Sequence, residues 1–300
     1  MGFKDNPTGN WKVFGPQEGS GHSLLFLHGV ASRWQDFLPL IPALILSRRI
    51  YAWDFPGHGC STKRLKRYRV IDYVSEVVWV LKQLAEPTVI YGHSLGSMVA
   101  AAVAAAFPEA VAALILEDPP FETMGSRIHN GYLHSYFCGL QRFVGSDRPV
   151  GDLARELAEI PFGPPGGKES SRLGDVRDAA TLRFSAKALK QLDPAVLSPV
   201  VQGEWLKGYD LDEIARRVQC PTLLLQADEL AGGMLSDEDA ARIEKSVSDC
   251  TRIRFRNGGH RLHWTLTESI LHAVICFLES LPDEQRYEGR DSLRHGGGVK

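Results

Sequence analysis

The stretch Gly92-His93-Ser94-Leu95-Gly96 sets a serine between two glycines, each two positions away. The pattern alone is common, so its setting decides what it can do. An apolar run, Thr88-Val89-Ile90-Tyr91, comes directly before it, and an alanine-rich stretch over 95–107 follows. A strand, a sharp turn and a helix in that order lift a serine hydroxyl above a sheet edge, where it can act as a nucleophile. The flanking glycines and the small residues that follow let helix and sheet pack closely. Of the ten histidines, only His260 follows a glycine pair just after a strand-like run. Other chemistries are poorly supplied. Cys60, Cys138, Cys220, Cys250 and Cys276 are odd in number and widely scattered, with no metal-ligand or redox spacing. They read as free thiols, mostly buried, in a reducing compartment. The glycines at 57, 59, 92 and 96 form neither G-x-G-x-x-G nor a P-loop. No metal and no cofactor is expected.

The elements that must position Ser94 are legible from short apolar runs. Leu24–Leu27, Ile50-Tyr51-Ala52-Trp53, Thr88-Val89-Ile90-Tyr91, Ala113-Leu114-Ile115-Leu116 and Thr222-Leu223-Leu224-Leu225 read as buried parallel strands. Thr251-Arg252-Ile253-Arg254-Phe255 alternates and reads as an edge strand. Helical patterns over 37–46, 70–84, 95–107, 211–218, 236–247 and 266–281 lie between them. Strands alternating with helices predict an α/β fold, a mostly parallel sheet flanked by helices. Residues 119–207 break the alternation. They carry helical stretches at 132–143, 151–159 and 175–192, separated by Pro/Gly breaks such as 161–167. The expected organisation is a core of 1–118 and 208–281, a helical cap of 119–207, and a polar, disordered tail of 282–300.

With these motifs in order, the chain resembles the α/β-hydrolase family over about residues 10–281. Leu27-His28-Gly29-Val30 looks like the segment leading into the oxyanion loop. Asp54-Phe55-Pro56-Gly57-His58-Gly59-Cys60-Ser61 looks like the D-x-x-G-x-G-x-S turn, and Asn257-Gly258-Gly259-His260 like the loop bearing the catalytic histidine. The resemblance implies acyl transfer. Ser94 attacks, and His260 takes its proton and later returns it to the leaving group. The amides of Val30 and Leu95 would hold the oxyanion. His28 is expected to order its loop. Trp34, His93 and Phe121 are candidate substrate contacts, with a structural loop role equally open for Trp34 and for His58, and His263 is expected to be a supporting or surface residue.

The third triad member stays open. The family usually carries this acid in P-T-L-L-x-x-G-x-x-D. Here Pro221-Thr222-Leu223-Leu224-Leu225-Gln226-Ala227-Asp228-Glu229-Leu230 puts a leucine at the last position. Asp228 falls two residues early and Glu229 one. Some families of this fold take the acid from the end of the strand after the nucleophile, where this chain has Asp118. Asp118 is preferred over Asp228, with Glu229 behind them.

Three hundred residues, 44% of them hydrophobic, suffice for one large core with an insertion. A net charge of -2 offers no field to recruit nucleic acid, and the basic cluster at 63–69 reads as a solvated loop. The apolar stretches 98–107 and 271–281 are too short to span a bilayer. Residues 1–10 lack the apolar core of a secretory signal. A soluble, cytoplasmic protein acting on a small molecule is expected, with oligomeric state unreadable. The aromatic content of 119–207 suggests a mainly apolar substrate. A carboxylic ester or lactone is the favoured substrate class. The alternatives are carbon–carbon bond hydrolysis of a diketone-type substrate, or a slow-turnover receptor-like member.

Overall fold

The computed structural model describes residues 10–15, 22–62, 66–163 and 171–282. The expected disorder from 283 on lies outside the described residues, as do 164–170 of the Pro/Gly segment and 63–65 of the basic cluster.

Seven strands form one sheet: β1 (Asn10–Phe14), β2 (Leu24–Leu27), β3 (Ile50–Asp54), β4 (Thr88–His93), β5 (Val111–Glu117), β6 (Thr222–Gln226) and β7 (Cys250–Arg254). Their order is β1-β3-β2-β4-β5-β6-β7, and every pairing is parallel except β1 with β3. The antiparallel edge strand β1 was not expected from sequence.

Successive strand residues point to opposite faces, and the core divides on that period. Leu25, Leu27, Trp53, Ile90, Leu114 and Leu224 pack on one face. Leu24, Phe26, Ala52, Tyr91, Ile115 and Leu225 pack on the other. Both faces are covered, so the inner strands read as unbroken apolar runs. The helix Leu95–Ala106 follows β4 and buries all of its residues but the last.

Helix expectations hold with trimmed ends for Val74–Leu84, Leu211–Arg217 and Asp237–Ser246. The helix read over 37–46 is instead a 3-10 turn, Trp34–Phe37, and one α turn, Ile41–Leu44. Pro42 sits at the start of that second turn, where its missing N–H is tolerated; further in it would break the ladder. The pattern over 266–281 is the helix Thr267–Ser280, preceded by a separate turn, Leu262–Thr265.

Between β5 and β6 the described residues carry only helices and one isolated bridge, Pro161 to Arg172. The longest are Leu133–Gln141, Val150–Ala158 and Ala179–Gln191. The cysteines differ from expectation in burial. None is fully buried, and Cys60 and Cys276 are exposed. No described helix is long and apolar enough to cross a membrane.

Candidate active site

Parallel sheets gather their loops at the strands' carboxyl ends, where ligands bind. Here β2 leads to Gly29 and Val30, β4 to Ser94, β5 to Asp118, and β7 to the loop carrying His260. In register, Leu27 lies beside Gly92, and His93 beside Glu117.

Ser94 has φ 55° and ψ −115°, a backbone state that costs an L-residue about 1–3 kcal/mol. Neighbouring hydrogen bonds hold it there. Its N–H donates to Glu117 O at 3.0 Å, and its carbonyl accepts from Ser97 N at 3.0 Å and Met98 N at 3.2 Å. The two glycines are required by space. A Cβ on Gly96 would stand 1.9 Å from Leu27 O, and one on Gly92 would stand 2.3 Å from Gly96 C.

His260 Nδ1 lies 2.7 Å from Asp118 Oδ2. A carboxylate only accepts, so Nδ1 carries the proton and Nε2 of the neutral ring presents a lone pair. Asp118 is fully buried and sits at φ 44°. Three amides converge on it: Met234 N at 2.7 Å, Ala227 N at 3.1 Å and Leu235 N at 3.2 Å. These donors solvate the anion in place of water. Ser94 and His260 line the same cavity, but no hydrogen bond joins their side chains among the described contacts. Such bonds are often long before substrate arrives.

Asp228 lies elsewhere. Its carboxylate accepts from Leu230 N and Asn257 N, both at 3.0 Å, and these bonds hold it below the usual carboxylate range. It shapes the loop that leads to His260 and does not touch the imidazole. Glu229 Oε1 accepts from Asp237 N at 3.2 Å, also away from the histidine. Neither the Val30 nor the Leu95 amide donates to another described residue; Leu95 directly follows Ser94, and Val30 lines the same cavity as Ser94.

The expected contact residues divide. His93 lines the cavity. Its Nε2–H donates to His260 O at 2.9 Å, and burial lowers its pKa to about 3, so the ring is neutral. Trp34 is absent from the cavity wall; its ring packs 5.5 Å from Phe14, on the other side of its turn. Phe121 is fully buried with its ring 6.4 Å from Tyr209, and Met124 from the same turn faces the cavity instead. His28 is buried and neutral, its pKa lowered to about 4 by desolvation. Its Nδ1–H donates to Gly29 O at 2.8 Å and its Nε2 accepts from Phe55 N at 3.0 Å, tying β2's exit to β3's. His58 is also buried, its pKa lowered to about 3, with Nδ1 donating to Pro56 O at 3.1 Å.

Sequence reasoning missed a second acid–histidine pair beneath the first. Glu117 and His263 are both fully buried, with Oε1 and Nδ1 2.7 Å apart. Glu117 also accepts from Tyr91 OH at 2.6 Å and His263 N at 3.1 Å, and is held down to about 2 by that histidine despite its burial. On the far side, His263 Nε2 is 3.7 Å from Asp36 Oδ1. Burial opposes charge on His263, but the two carboxylates outweigh it and lift its pKa to about 9. Asp36, His93 and His263 bring ligand-type atoms within 4.8 Å of one another, the geometry of a small cation site. That positive charge is already present. His263 carries a proton there, and the Arg261 guanidinium is 3.8 Å from Asp36. The donor set fits a proton and an arginine better than a metal ion. The signal that could have exposed this pair is a doublet, Glu117-Asp118, matched by His260 and His263 three residues apart.

A narrow cavity of about 50 Å³ lies over Ser94. Its floor comes from the sheet edge. Its apolar wall comes from the helical insertion, through Tyr136, Phe137, Leu140, Leu157, Leu173 and Leu189.

A family model described as alpha/beta hydrolase fold matches residues 22–265. A serine hydrolase-like protein of Danio rerio is 38% identical over 289 residues, covering 91% of this chain and 86% of that protein. The 2-(acetamidomethylene)succinate hydrolase of Mesorhizobium japonicum is 34% identical over 217 residues, covering 67% of this chain and 77% of the relative. Among solved structures, the enol-lactonase from Burkholderia xenovorans superposes with a TM-score of 0.70 at 14% identity, covering 91% and 98% of the two chains. That likeness speaks to the fold. The family match over most of the sequence and the two curated relatives go further: this chain belongs to the α/β-hydrolase fold family, a family of hydrolytic enzymes.

Proposed function

We propose that the chain hydrolyses a carboxylic ester or lactone of a small substrate through an acyl-enzyme on Ser94. His260 acts as general base and then general acid, and Asp118 fixes its tautomer and stabilises the imidazolium. The observation that carries this reading is the 2.7 Å contact from His260 Nδ1 to a fully buried carboxyl group that accepts from three backbone amides. The Val30 and Leu95 amides supply the oxyanion hole, the second of them at a helix N-terminus. Residues 119–207 roof the cavity as a cap that excludes water. The narrow cavity supports a small substrate with an apolar skeleton.

The test is covalent labelling with a fluorophosphonate, followed by turnover of a panel of p-nitrophenyl esters and lactones. Labelling and turnover are both expected in the wild type and lost in S94A. Equal labelling of S94A, or stoichiometric binding of the panel with no turnover, would overturn it.

A further inference from the structure

The cavity wall that comes from the helical insertion is apolar except at Arg177, Ser185 and the Tyr136 hydroxyl. Arg177 has no carboxylate within salt-bridge distance among the described residues. The two acids nearest to it in sequence are committed to the backbone. Asp175 accepts from Arg172 N at 2.7 Å, and Asp178 accepts from Thr181 N at 2.8 Å as the cap of the helix Ala179–Gln191. What surrounds the guanidinium is aromatic. Its carbon lies 5.6 Å from the Phe162 ring centre and 5.9 Å from that of Tyr136. Its one hydrogen bond among the described contacts is a long one, 3.4 Å to Tyr136 OH. Ring faces orient a cation without neutralising it.

Arg261, the other cationic residue of the cavity, differs. Asp36 lies 3.8 Å from it and balances its charge. Ser185 adds a second observation. Its hydroxyl is more than nine-tenths buried, has no hydrogen-bond partner among the described residues, and belongs to the same cavity wall. A buried hydroxyl without a partner costs free energy unless a ligand meets it.

We propose that the substrate carries a carboxylate, bound by Arg177 with the Ser185 hydroxyl donating to it, at the end of the molecule away from the bond that Ser94 attacks. This inference rests on the esterase or lactonase reading and narrows its substrate class to anionic esters or lactones. Guanidinium suits the role because its planar donors match a carboxylate two at a time.

The experiment compares two esters of matched length, the p-nitrophenyl monoester of glutaric acid and p-nitrophenyl valerate, in the wild type, R177M and R177K. Fluorophosphonate labelling and thermal midpoint are measured on each protein. The wild type is expected to favour the anionic ester by tenfold or more in kcat/KM. R177M should bring the ratio to about one, with R177K between. Raising the ionic strength should shrink the wild-type ratio. A wild type with no preference, or an R177M protein that labels normally and keeps the preference, would overturn the inference and leave the esterase reading intact. A wild type that neither labels nor turns over either ester would instead refute the reading on which the inference rests.

Discussion

Two acid–histidine pairs stand side by side at the end of β5. In the cavity-side pair, Asp118 meets His260, whose side chain is 17% exposed. In the interior pair, Glu117 meets His263 and both side chains are fully enclosed. The acids are adjacent in sequence and the histidines are three residues apart. Strand alternation separates the acids: Glu117 falls on the face of Tyr91 and Ile115, while Asp118 turns away at φ 44°. The environments then divide the chemistry. The cavity-side carboxylate is satisfied mainly by backbone amides, which under the proposed mechanism leaves its histidine free to exchange a proton with substrate. The interior histidine lies between two carboxylates and holds its proton. One pair is arranged to cycle and the other to stay charged.

Variants should pull the two pairs apart. The largest effect belongs to the cavity side. S94A is expected to lower kcat by about 10⁴-fold or more, read by steady-state ester hydrolysis, with an unchanged thermal midpoint. Residual turnover near the wild-type rate would break the comparison at its catalytic end. On the interior side, E117Q leaves the His263 cation with a weaker partner and should cost about 3 kcal/mol of stability. That is a fall of roughly 5 °C in thermal midpoint, seen by calorimetry. An E117Q protein as stable as the wild type would mean that the interior pair adds nothing to the fold.

A pH titration of stability sharpens the same point. His263 has a folded pKa of about 9, raised above its ordinary value. Its stabilising contribution is therefore complete below about pH 6.5 and is lost as pH rises through about 9. The thermal midpoint of the wild type should fall between pH 7 and 10, and E117Q should flatten that slope. The smallest effect is expected at Asp228. D228N keeps one acceptor for the two amides of its loop and should change kcat less than about threefold, the range for a residue whose contacts are to an exposed turn.

How much of this was readable in the sequence depends on how local the signal is. Ser94 announces itself because strand, turn and helix are contiguous around it. The parallel strands announce themselves because burial on both faces removes polar residues from them. Asp118 was only half legible. Its partner lies 142 residues away, and Leu230 stands where the more usual acid would be, so only the paired geometry distinguishes it from Asp228. His263 was illegible as an ion because burial between Glu117 and Asp36 depends on three separate segments meeting. Strand β1 was missed because an edge strand beside an antiparallel neighbour needs no continuous apolar run. Trp34 and Phe121 were misplaced for a related reason: a short turn fixes which of its side chains face the cavity, and composition does not encode that.

The central claim is that Asp118, of the carboxylates available, serves His260. The direct measurement is kcat for D118N and D228N on one p-nitrophenyl ester, each protein first shown to be folded by its near-ultraviolet circular dichroism. Asn at 118 offers His260 the wrong hydrogen-bond pattern or tautomer, so kcat should fall by about 10³–10⁴-fold while D228N stays near the wild type. A fully active D118N beside an inactive D228N would contradict the account.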